Sequence, residues 1–148
     1  MIELLPGLFL GSVADAEEFS DQFGAVVNCT PEFKFFNKDN FQLRVPVQDN
    51  GYDTDLLFNY LEEACESIET HLKSKTPVLV HCVMGFQRSP AVCVAYLMWA
   101  DGKSLNDAIH YVHMAKPDTF YGSSSSGELD VHFLPSLVMF EKKIKTKI

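Results

Sequence analysis

The sequence predicts an α/β fold in which a central, mostly parallel sheet is flanked by helices. Short apolar runs that are typical of buried strands alternate with longer segments whose apolar residues recur at helical spacing. Such an alternation favours parallel strands joined by helices that cover the sheet. The chain has 148 residues, a length that suits one domain, so we expect residues 1–148 to form a single unit.

The first half of the chain predicts a hairpin, a helix and two strands. Pro6 and Gly7 form a turn pair between two short leucine-rich runs, which indicates the hairpin. The patterns that follow predict a helix over residues 14–23, a strand over 25–29, a strand over 41–47 and a polar loop over 48–53.

The middle of the chain predicts a buried strand between two helices. Apolar residues at helical spacing predict an amphipathic helix over residues 55–73. The short apolar run 77–80 predicts the buried strand, and the unbroken apolar run 91–100 predicts a buried helix.

The last part of the chain predicts two further helices separated by a loop. Ser104 caps a helix that ends before Pro117. Residues 116–130 are rich in glycine and serine, which predicts a flexible loop. A final helix contains residues 133–140, and Pro135 must lie near its first turn.

The charge balance limits the classes of partner. Twenty acidic residues against twelve basic ones give a formal net charge of −8, which disfavours nucleic acid and acidic membranes as general partners. Any anion site must therefore be local. Pro90 and Asp101 bound the run 91–100, and no apolar run reaches the length of about 18 residues that a membrane span needs. We expect no membrane partner.

The cysteines and the N-terminal residues indicate the compartment. The four cysteines, which are Cys29, Cys65, Cys82 and Cys93, show no close paired spacing. The N-terminal residues lack the basic start and long apolar core of a secretory signal. We therefore expect the cytosol or the nucleus.

Residues 80–89 place a thiol, a flexible turn, an arginine and a hydroxyl between a predicted strand and a predicted helix. Free N–H groups at a helix N-terminus favour a bound anion and also a thiolate at Cys82. Arg88 adds a planar fork of donors that can hold two oxygens of one phosphate. The expected phosphate ligands are Arg88 and the backbone N–H groups of Val83, Met84, Gly85, Phe86, Gln87 and Arg88.

Five residues of this segment resemble the Cys-x5-Arg signature of the cysteine-dependent protein phosphatases. They are His81, Cys82, Gly85, Arg88 and Ser89. Taken singly, a cysteine is more often a small buried hydrophobe and an arginine a surface cation. Five residue types at these offsets, in a strand-loop-helix context, are a specific signal.

The resemblance extends over nearly the whole chain, and it indicates the small, atypical dual-specificity protein phosphatases. The matching segments are residues 5–12, 26–29, 45–49 and 95–98, followed by Lys116, Pro117, Phe133 and Leu137. Lys116 stands where the family more often has arginine, and Gln87 stands where a small serine is common. The glycine- and serine-rich connection is longer than usual. The resemblance implies the same α/β fold.

The resemblance also implies covalent catalysis in two steps. Cys82 attacks phosphorus and becomes a phosphocysteine, while Arg88 and the loop N–H groups hold the equatorial oxygens. Ser89 is placed to donate a hydrogen bond to the sulfur when the sulfur becomes the leaving group. His81, at the end of a strand, is expected to orient the loop rather than to transfer protons.

The leaving oxygen needs a proton, and the candidate donors are Asp39, Asp49, Asp53 and Asp55. Asp49 is favoured because it ends a predicted strand and precedes Cys82 by 33 residues, a spacing that resembles the family's. After the first step the same carboxylate could activate the attacking water. Asp53 and Asp55 lie beside a predicted helix start and are interpreted as capping residues.

Lys116 is a candidate substrate residue, because the resembled fold brings its segment to the catalytic face. We hypothesise that it contacts a second anionic group of the substrate; the alternative is a solvated linker without function. The spacing of His71, His110, His113 and His132 does not suit a metal site, so no metal or other cofactor is predicted.

Other aromatic and sulfur-containing residues have two interpretations each. The phenylalanines at positions 33, 35, 36 and 41 could rim a phosphotyrosine site, although large aromatic side chains are more often buried in the core. Cys29 and Cys93 are interpreted as packing residues. A regulatory disulfide between Cys29 and Cys82 is compatible with their positions at predicted strand ends.

These features predict a protein phosphatase that acts on phosphotyrosine and on phosphoserine or phosphothreonine in protein partners. A phosphatase of RNA 5' ends or of phosphoinositides is the alternative, and the acidic composition argues against it. A non-enzymatic phosphopeptide-binding module is disfavoured, because Cys82, Arg88 and Asp49 are all present.

Overall fold

The protein has the predicted α/β fold in a computed structural model that describes residues 1–122 and 128–146. The strands are β1 (Ile2–Leu5), β2 (Leu8–Gly11), β3 (Ala25–Asn28), β4 (Phe41–Arg44) and β5 (Val78–His81). The helices are α1 (Val13–Phe19), α2 (Thr54–Lys73), α3 (Arg88–Asp101), α4 (Leu105–Ala115) and α5 (Leu134–Thr146). The predicted glycine- and serine-rich loop includes residues 123–127, which lie outside the described residues.

The five strands form one sheet in the order β1-β2-β5-β3-β4. Within the described part of the chain, β1 and β2 are the one antiparallel pair, and the other three pairs are parallel. Strand β5 lies between β2 and β3, with Gly11 and Asn28 both in register with His81. Because the carboxyl ends of parallel strands meet at one edge, the residues after β2, β3 and β5 converge there.

Two apolar layers cover the sheet, and alternation along the strands separates them. Along β5, Val78 and Val80 belong to the larger core, which helices α2 to α5 complete, whereas Leu79 belongs to the smaller one. Ala16 of α1 and Phe23 complete the smaller core. Helix α3 is buried from Arg88 to Met98, so its N-terminus lies inside the molecule.

Two predicted elements are shorter than expected. The predicted helix over residues 14–23 is an α-helix only to Phe19, and a 3-10 turn, Ser20–Gln22, completes it. The predicted strand over 41–47 ends at Arg44. Pro46 has no N–H to donate to a neighbouring strand, and the N–H of Val47 turns back to the carbonyl of Val45 at 2.9 Å.

Helix α3 begins earlier than the predicted helix over 91–100. Its first residue is Arg88, so Pro90 lies in the first turn, where its missing N–H is harmless. Ser104 caps α4 as predicted, since its hydroxyl accepts a hydrogen bond from the N–H of Asp107 at 3.2 Å. Across residues 1–122 and 128–146, no helix is both long and apolar enough to cross a bilayer.

Candidate active site

The loop of residues 82–88 connects the buried end of β5 to the first turn of α3. We refer to these residues as the 82–88 loop. Gly85 has a φ of 76°, and a Cβ atom there would lie 2.8 Å from the carbonyl oxygen of Gly11. Both the left-handed backbone and the close approach of β2 therefore require glycine at this position.

The carbonyl groups of the 82–88 loop accept hydrogen bonds from the surrounding protein. Val83 accepts from the N–H of Val13 at 3.0 Å, and Phe86 accepts from the N–H of Phe120 at 3.0 Å. Gly85 accepts from the ammonium of Lys116 at 3.1 Å. In the described part of the chain, by contrast, the N–H groups of residues 83–87 donate to no protein acceptor. This arrangement leaves a set of backbone donors for an anion, beside the N-terminus of α3.

The Cys82 thiol lies at the base of this loop. Its side chain is buried, and Sγ accepts a hydrogen bond from the Ser89 hydroxyl at 3.2 Å. The same hydroxyl lies 3.5 Å from the carbonyl oxygen of Gly11. Ser89 is fully buried in the first turn of α3, so its hydroxyl is held beside the sulfur. The structure therefore brings together the sulfur and hydroxyl that the sequence predicted as partners.

Arg88 is buried, and it links the 82–88 loop to the segment that follows β4. One of its guanidinium nitrogens, Nη1, donates to the carbonyl oxygen of Val47 at 3.0 Å. A guanidinium carries five N–H donors, so this contact uses only a part of them. Arg88 can therefore bind oxygens of a phosphate while it is anchored to Val47.

The His81 ring is buried at the end of β5 and contacts the backbone of the 82–88 loop. Its Nδ1 lies 3.2 Å from the carbonyl oxygen of Cys82, and the ring is almost fully buried. Among the described residues, its Nε2 has no hydrogen-bond partner. Burial, the largest influence, lowers the pKa of His81 below its ordinary value, and this favours the neutral ring.

Lys116 packs against the 82–88 loop. Besides its hydrogen bond to Gly85, its ammonium pairs with Asp118 and lies 5.3 Å from the centre of the Phe86 ring. The side chain is only 12% exposed. The structure therefore places Lys116 beside the loop, as the sequence predicted, and contact with a second anionic group stays a prediction.

Asp49 lies at the mouth of the site, two residues after Val47. Its Oδ1 is 2.7 Å from Nδ1 of His132. Asp53, interpreted from the sequence as a cap, occupies the N-cap position of α2 but forms no side-chain cap. Its carboxylate instead accepts the N–H of Gln48 at 2.7 Å and so stabilises the turn that carries Asp49. This contact is local, because the turn brings the two residues together.

His132 is a site residue that the sequence did not reveal. Its Nε2 lies 3.3 Å from Oδ2 of Asp130, so both ring nitrogens contact carboxylates. Burial lowers the pKa of His132, but the hydrogen bonds and charges of Asp49 and Asp130 outweigh it and raise the pKa above its ordinary value. Histidine spacing alone could not signal this contact, because Asp49 and His132 are 83 residues apart.

A groove of about 400 Å³ runs along these residues. Its walls are formed by Asp49, Phe86, Gln87, Asp118, Tyr121 and His132. Three of the phenylalanines that were candidates for the rim do not line this groove. Phe35 and Phe36 pack on the smaller core, and the centre of the Phe41 ring lies 4.6 Å from the centre of the His71 ring. The groove therefore has acidic and aromatic walls next to the 82–88 loop.

Cys29 follows β3 just as Cys82 follows β5, and the register of the two strands makes them neighbours. Both are buried free thiols. Burial first, and then the neighbouring Cys82 and Cys93, raise the pKa of the Cys29 thiol. A disulfide between Cys29 and Cys82 stays a prediction.

A buried cysteine, a hydroxyl on its sulfur and an arginine at a helix N-terminus define the class of cysteine-dependent phosphatase sites. The family model described as "Dual specificity phosphatase, catalytic domain" matches residues 8–132, most of the chain. The chain therefore belongs to the dual specificity phosphatase catalytic-domain family. The predicted family and fold class are confirmed.

Curated relatives share this domain. Drosophila melanogaster dual specificity protein phosphatase Mpk3 is 34% identical over 154 residues, which cover 99% of the chain and 35% of the relative. Human dual specificity protein phosphatase 9 is 32% identical, over 97% of the chain and 37% of the relative. The chain thus spans about a third of the length of these relatives.

Solved structures share the fold over most or all of their length. Human DUSP28 superposes with a TM-score of 0.84 at 29% identity, covering 100% of both chains. A mouse protein solved in complex with zinc tungstate superposes with a TM-score of 0.82 at 29% identity, over 99% of this chain and 89% of that one.

Proposed function

We propose that the chain hydrolyses phosphotyrosine, phosphoserine and phosphothreonine in protein partners through a phosphocysteine intermediate. The observation that carries the proposal is the Cys82 thiol beneath the N–H groups of residues 83–87, which donate to no acceptor among the described residues, with Ser89 hydrogen-bonded to its sulfur. Membership of the dual specificity phosphatase family supports it.

In the first step, the substrate phosphate is held by the loop N–H groups and by Arg88. The Cys82 sulfur forms a bond to phosphorus as the ester P–O bond breaks, and the bonding electron pair leaves with the oxygen. Asp49 donates a proton to that oxygen. The donors of the loop and the N-terminus of α3 stabilise the charge on the phosphoryl oxygens in the transition state.

In the second step, water attacks the phosphocysteine. The Asp49 carboxylate accepts a proton from the water, a phosphorus–oxygen bond forms and the phosphorus–sulfur bond breaks. The departing sulfur takes the electron pair, and the Ser89 hydroxyl stabilises this negative charge through its hydrogen bond at 3.2 Å. Phosphate is released and the Cys82 thiolate is regenerated.

The character of the groove favours protein substrates over RNA or phosphoinositides. The described residues that line it include Asp49 and Asp118 and no lysine or arginine, so the groove lacks the basic patch that RNA or a phosphoinositide headgroup would need. Phe86 and Tyr121 add exposed aromatic surface suited to a peptide. These features, with the net charge of −8, support a phosphorylated protein as the partner.

The fold alone does not separate an enzyme from a binding module. The human tyrosine phosphatase-like serine/threonine/tyrosine-interacting protein shares the fold with a TM-score of 0.79 at 24% identity. What supports an enzyme is the set of reacting groups: Arg88, on the same loop as Cys82, donates to the carbonyl of Val47, two residues before Asp49. Four buried free thiols also support the proposal of a reducing compartment, the cytosol or the nucleus.

The test compares wild type with Cys82→Ser on phosphotyrosine, phosphoserine and phosphothreonine peptides, a 5'-triphosphorylated RNA and phosphoinositide vesicles. We expect turnover of the peptides, its loss in the serine variant, and retained binding of tungstate, which the similar mouse structure supports as a probe. Peptide turnover by Cys82→Ser, or RNA or lipid as the preferred wild-type substrate, contradicts the proposal. Tungstate binding without turnover by wild type supports a binding module instead.

A further inference from the structure

We propose that His132 is a positioning residue for the reaction, which holds the Asp49 carboxylate at the mouth of the 82–88 loop and is itself held by Gln87. This inference rests on the proposed function. The assignment follows from contacts that join three segments far apart in the sequence, two of which carry Asp49 and the phosphate-binding groups.

The His132 ring is fixed on both sides. Nδ1 contacts Oδ1 of Asp49 at 2.7 Å, and Nε2 contacts Oδ2 of Asp130 at 3.3 Å. With both nitrogens engaged, rotation of the ring would break two contacts. The arrangement uses one oxygen of Asp49 and leaves the other, Oδ2, to carry the proton for the leaving group.

Gln87 holds the backbone that carries this ring. Its side-chain oxygen accepts the N–H of His132 at 3.0 Å, and its side-chain nitrogen donates to the carbonyl of Asp130 at 2.8 Å. Gln87 is almost fully buried, so these contacts are partly shielded from water. Both functional ends of one amide are therefore used to dock residues 130–132.

Two consecutive residues of the 82–88 loop thus position the proton donor. Arg88 contacts the carbonyl of Val47 directly at 3.0 Å, and Gln87 reaches Asp49 through His132. Each contact restrains a different end of the short segment 47–49. The location of the Asp49 carboxylate is therefore coupled to the loop that binds the phosphate.

The charged groups around His132 are acidic. Asp49 and Asp130 contact the ring, and Asp118 and Tyr121 line the same groove. Burial lowers the pKa of His132, but the carboxylates on its two ring nitrogens outweigh burial, so the ring keeps both N–H donors to a higher pH than a free imidazole does. As pH rises through that pKa, one ring nitrogen loses its proton and can no longer donate to a carboxylate, so the positioning of Asp49 is expected to weaken on the basic side of the rate profile.

The experiment uses wild type and three variants: His132→Leu, which removes both contacts; His132→Asn, which retains an N–H donor without a titrating ring; and His110→Ala, a control. His110 is an exposed histidine of α4 whose Nδ1 contacts the carbonyl of Asn106. Each is measured with a phosphotyrosine peptide, whose leaving group is basic, and with p-nitrophenyl phosphate, whose leaving group is activated.

For His132→Leu we expect kcat/KM on the peptide to fall at least about tenfold, and on p-nitrophenyl phosphate less than about threefold. In an Asp49→Asn background the same change should have little further effect, because His132 acts through Asp49. The activity of His132→Asn on the peptide should lie between that of His132→Leu and that of wild type. The basic limb of His132→Asn should shift relative to that of wild type, because an amide donor, unlike the imidazole of His132, does not lose its proton as pH rises. His110→Ala should match wild type.

Equal losses on both substrates, or full additivity with Asp49→Asn, would overturn the inference. Circular dichroism and thermal unfolding accompany each variant; if His132→Leu fails to fold, the shift of the basic limb in His132→Asn decides alone. A wild type that hydrolyses none of the substrates would remove the proposed function. An active wild type whose His132 variants retain the wild-type profile removes the role of His132 only.

Discussion

The two sides of the site are constructed differently. The nucleophile side comes from one continuous stretch, in which Cys82, Arg88 and Ser89 belong to the end of a strand, a loop and the start of α3. The side that carries Asp49, the proposed proton donor, joins Asp49 to His132, 83 residues further along the chain. A continuous site can be recognised in a sequence, whereas an assembled one depends on how the chain folds back.

The largest effect should come from the continuous side. Arg88→Lys removes the planar fork of donors and the contact with Val47, which a single ammonium cannot replace. We expect kcat/KM to fall by about a hundredfold to a thousandfold on activated and unactivated substrates alike. Steady-state kinetics with p-nitrophenyl phosphate and a phosphotyrosine peptide measure this, and a loss confined to one substrate would contradict it.

On the assembled side, we expect a loss of activity whose size depends on the substrate. Asp49→Asn removes the proton for the leaving oxygen, so we expect a loss of about a hundredfold or more on a phosphotyrosine peptide. The loss on p-nitrophenyl phosphate should be under about tenfold, because its leaving group needs little protonation. Asp53→Asn is a matched control in the same turn, and its effect should not depend on the leaving group. If Asp53→Asn shows the selective loss instead, Asp53 is the proton donor.

Lys116 gives a further test of the difference between the continuous and assembled sides, because it contacts the 82–88 loop from a distant segment of the chain. Lys116→Ala removes the donor to the Gly85 carbonyl, so KM should rise a few-fold for all phosphopeptides. If Lys116 also contacts a second anionic group, doubly phosphorylated peptides should be affected more, and the difference should shrink with added salt. Lys103→Ala is the control, since Lys103 pairs with Asp101 at the end of α3. Equal effects on both peptide classes at low salt would remove the second-anion role.

The smallest effect should be on stability. The pKa of His132 is raised in the folded protein, so its ion pairs stabilise the fold below its ordinary pKa of 6.5, and this contribution is lost as pH rises through the folded pKa. The quantity to compare is the unfolding temperature of wild type minus that of His132→Asn. This difference should therefore be about 1–2 °C larger at pH 5.5 than at pH 8.5, a small change because the group is partly exposed. Thermal unfolding measures both, and a difference that grows with pH would contradict the assignment.

The sequence was sufficient for the parts of the site that are local. The apolar strand before Cys82 and the apolar helix after Arg88 fix the loop between them, so the partnership of Cys82 with Ser89 was predictable. Asp49 was predictable as a candidate because it follows a strand on the loop before α2. The shortening of β4 was not anticipated, although Pro46 supplies the physical reason.

His132 was not predictable, because its contact requires knowledge of three-dimensional neighbours. After α4, the N–H of Phe120 donates to the carbonyl of Phe86, and the N–H of His132 donates to the side chain of Gln87. These contacts bring His132 to Asp49. Periodicity records which residues share a face of one element. It does not record which loops meet above the edge of a sheet.

The close approach of β2 to the 82–88 loop has a consequence for how this sequence can change. A Cβ atom at Gly85 would meet the carbonyl of Gly11, while one at Gly11 would meet the Asp15 carboxylate at 2.8 Å. Strand β2 supplies no reacting side chain, yet its backbone forms a wall of the site. Substitutions that shift β2 should therefore relieve the steric contact at position 85 but not the strain of its left-handed backbone, so replacement of Gly85 is expected to stay costly even when position 11 changes.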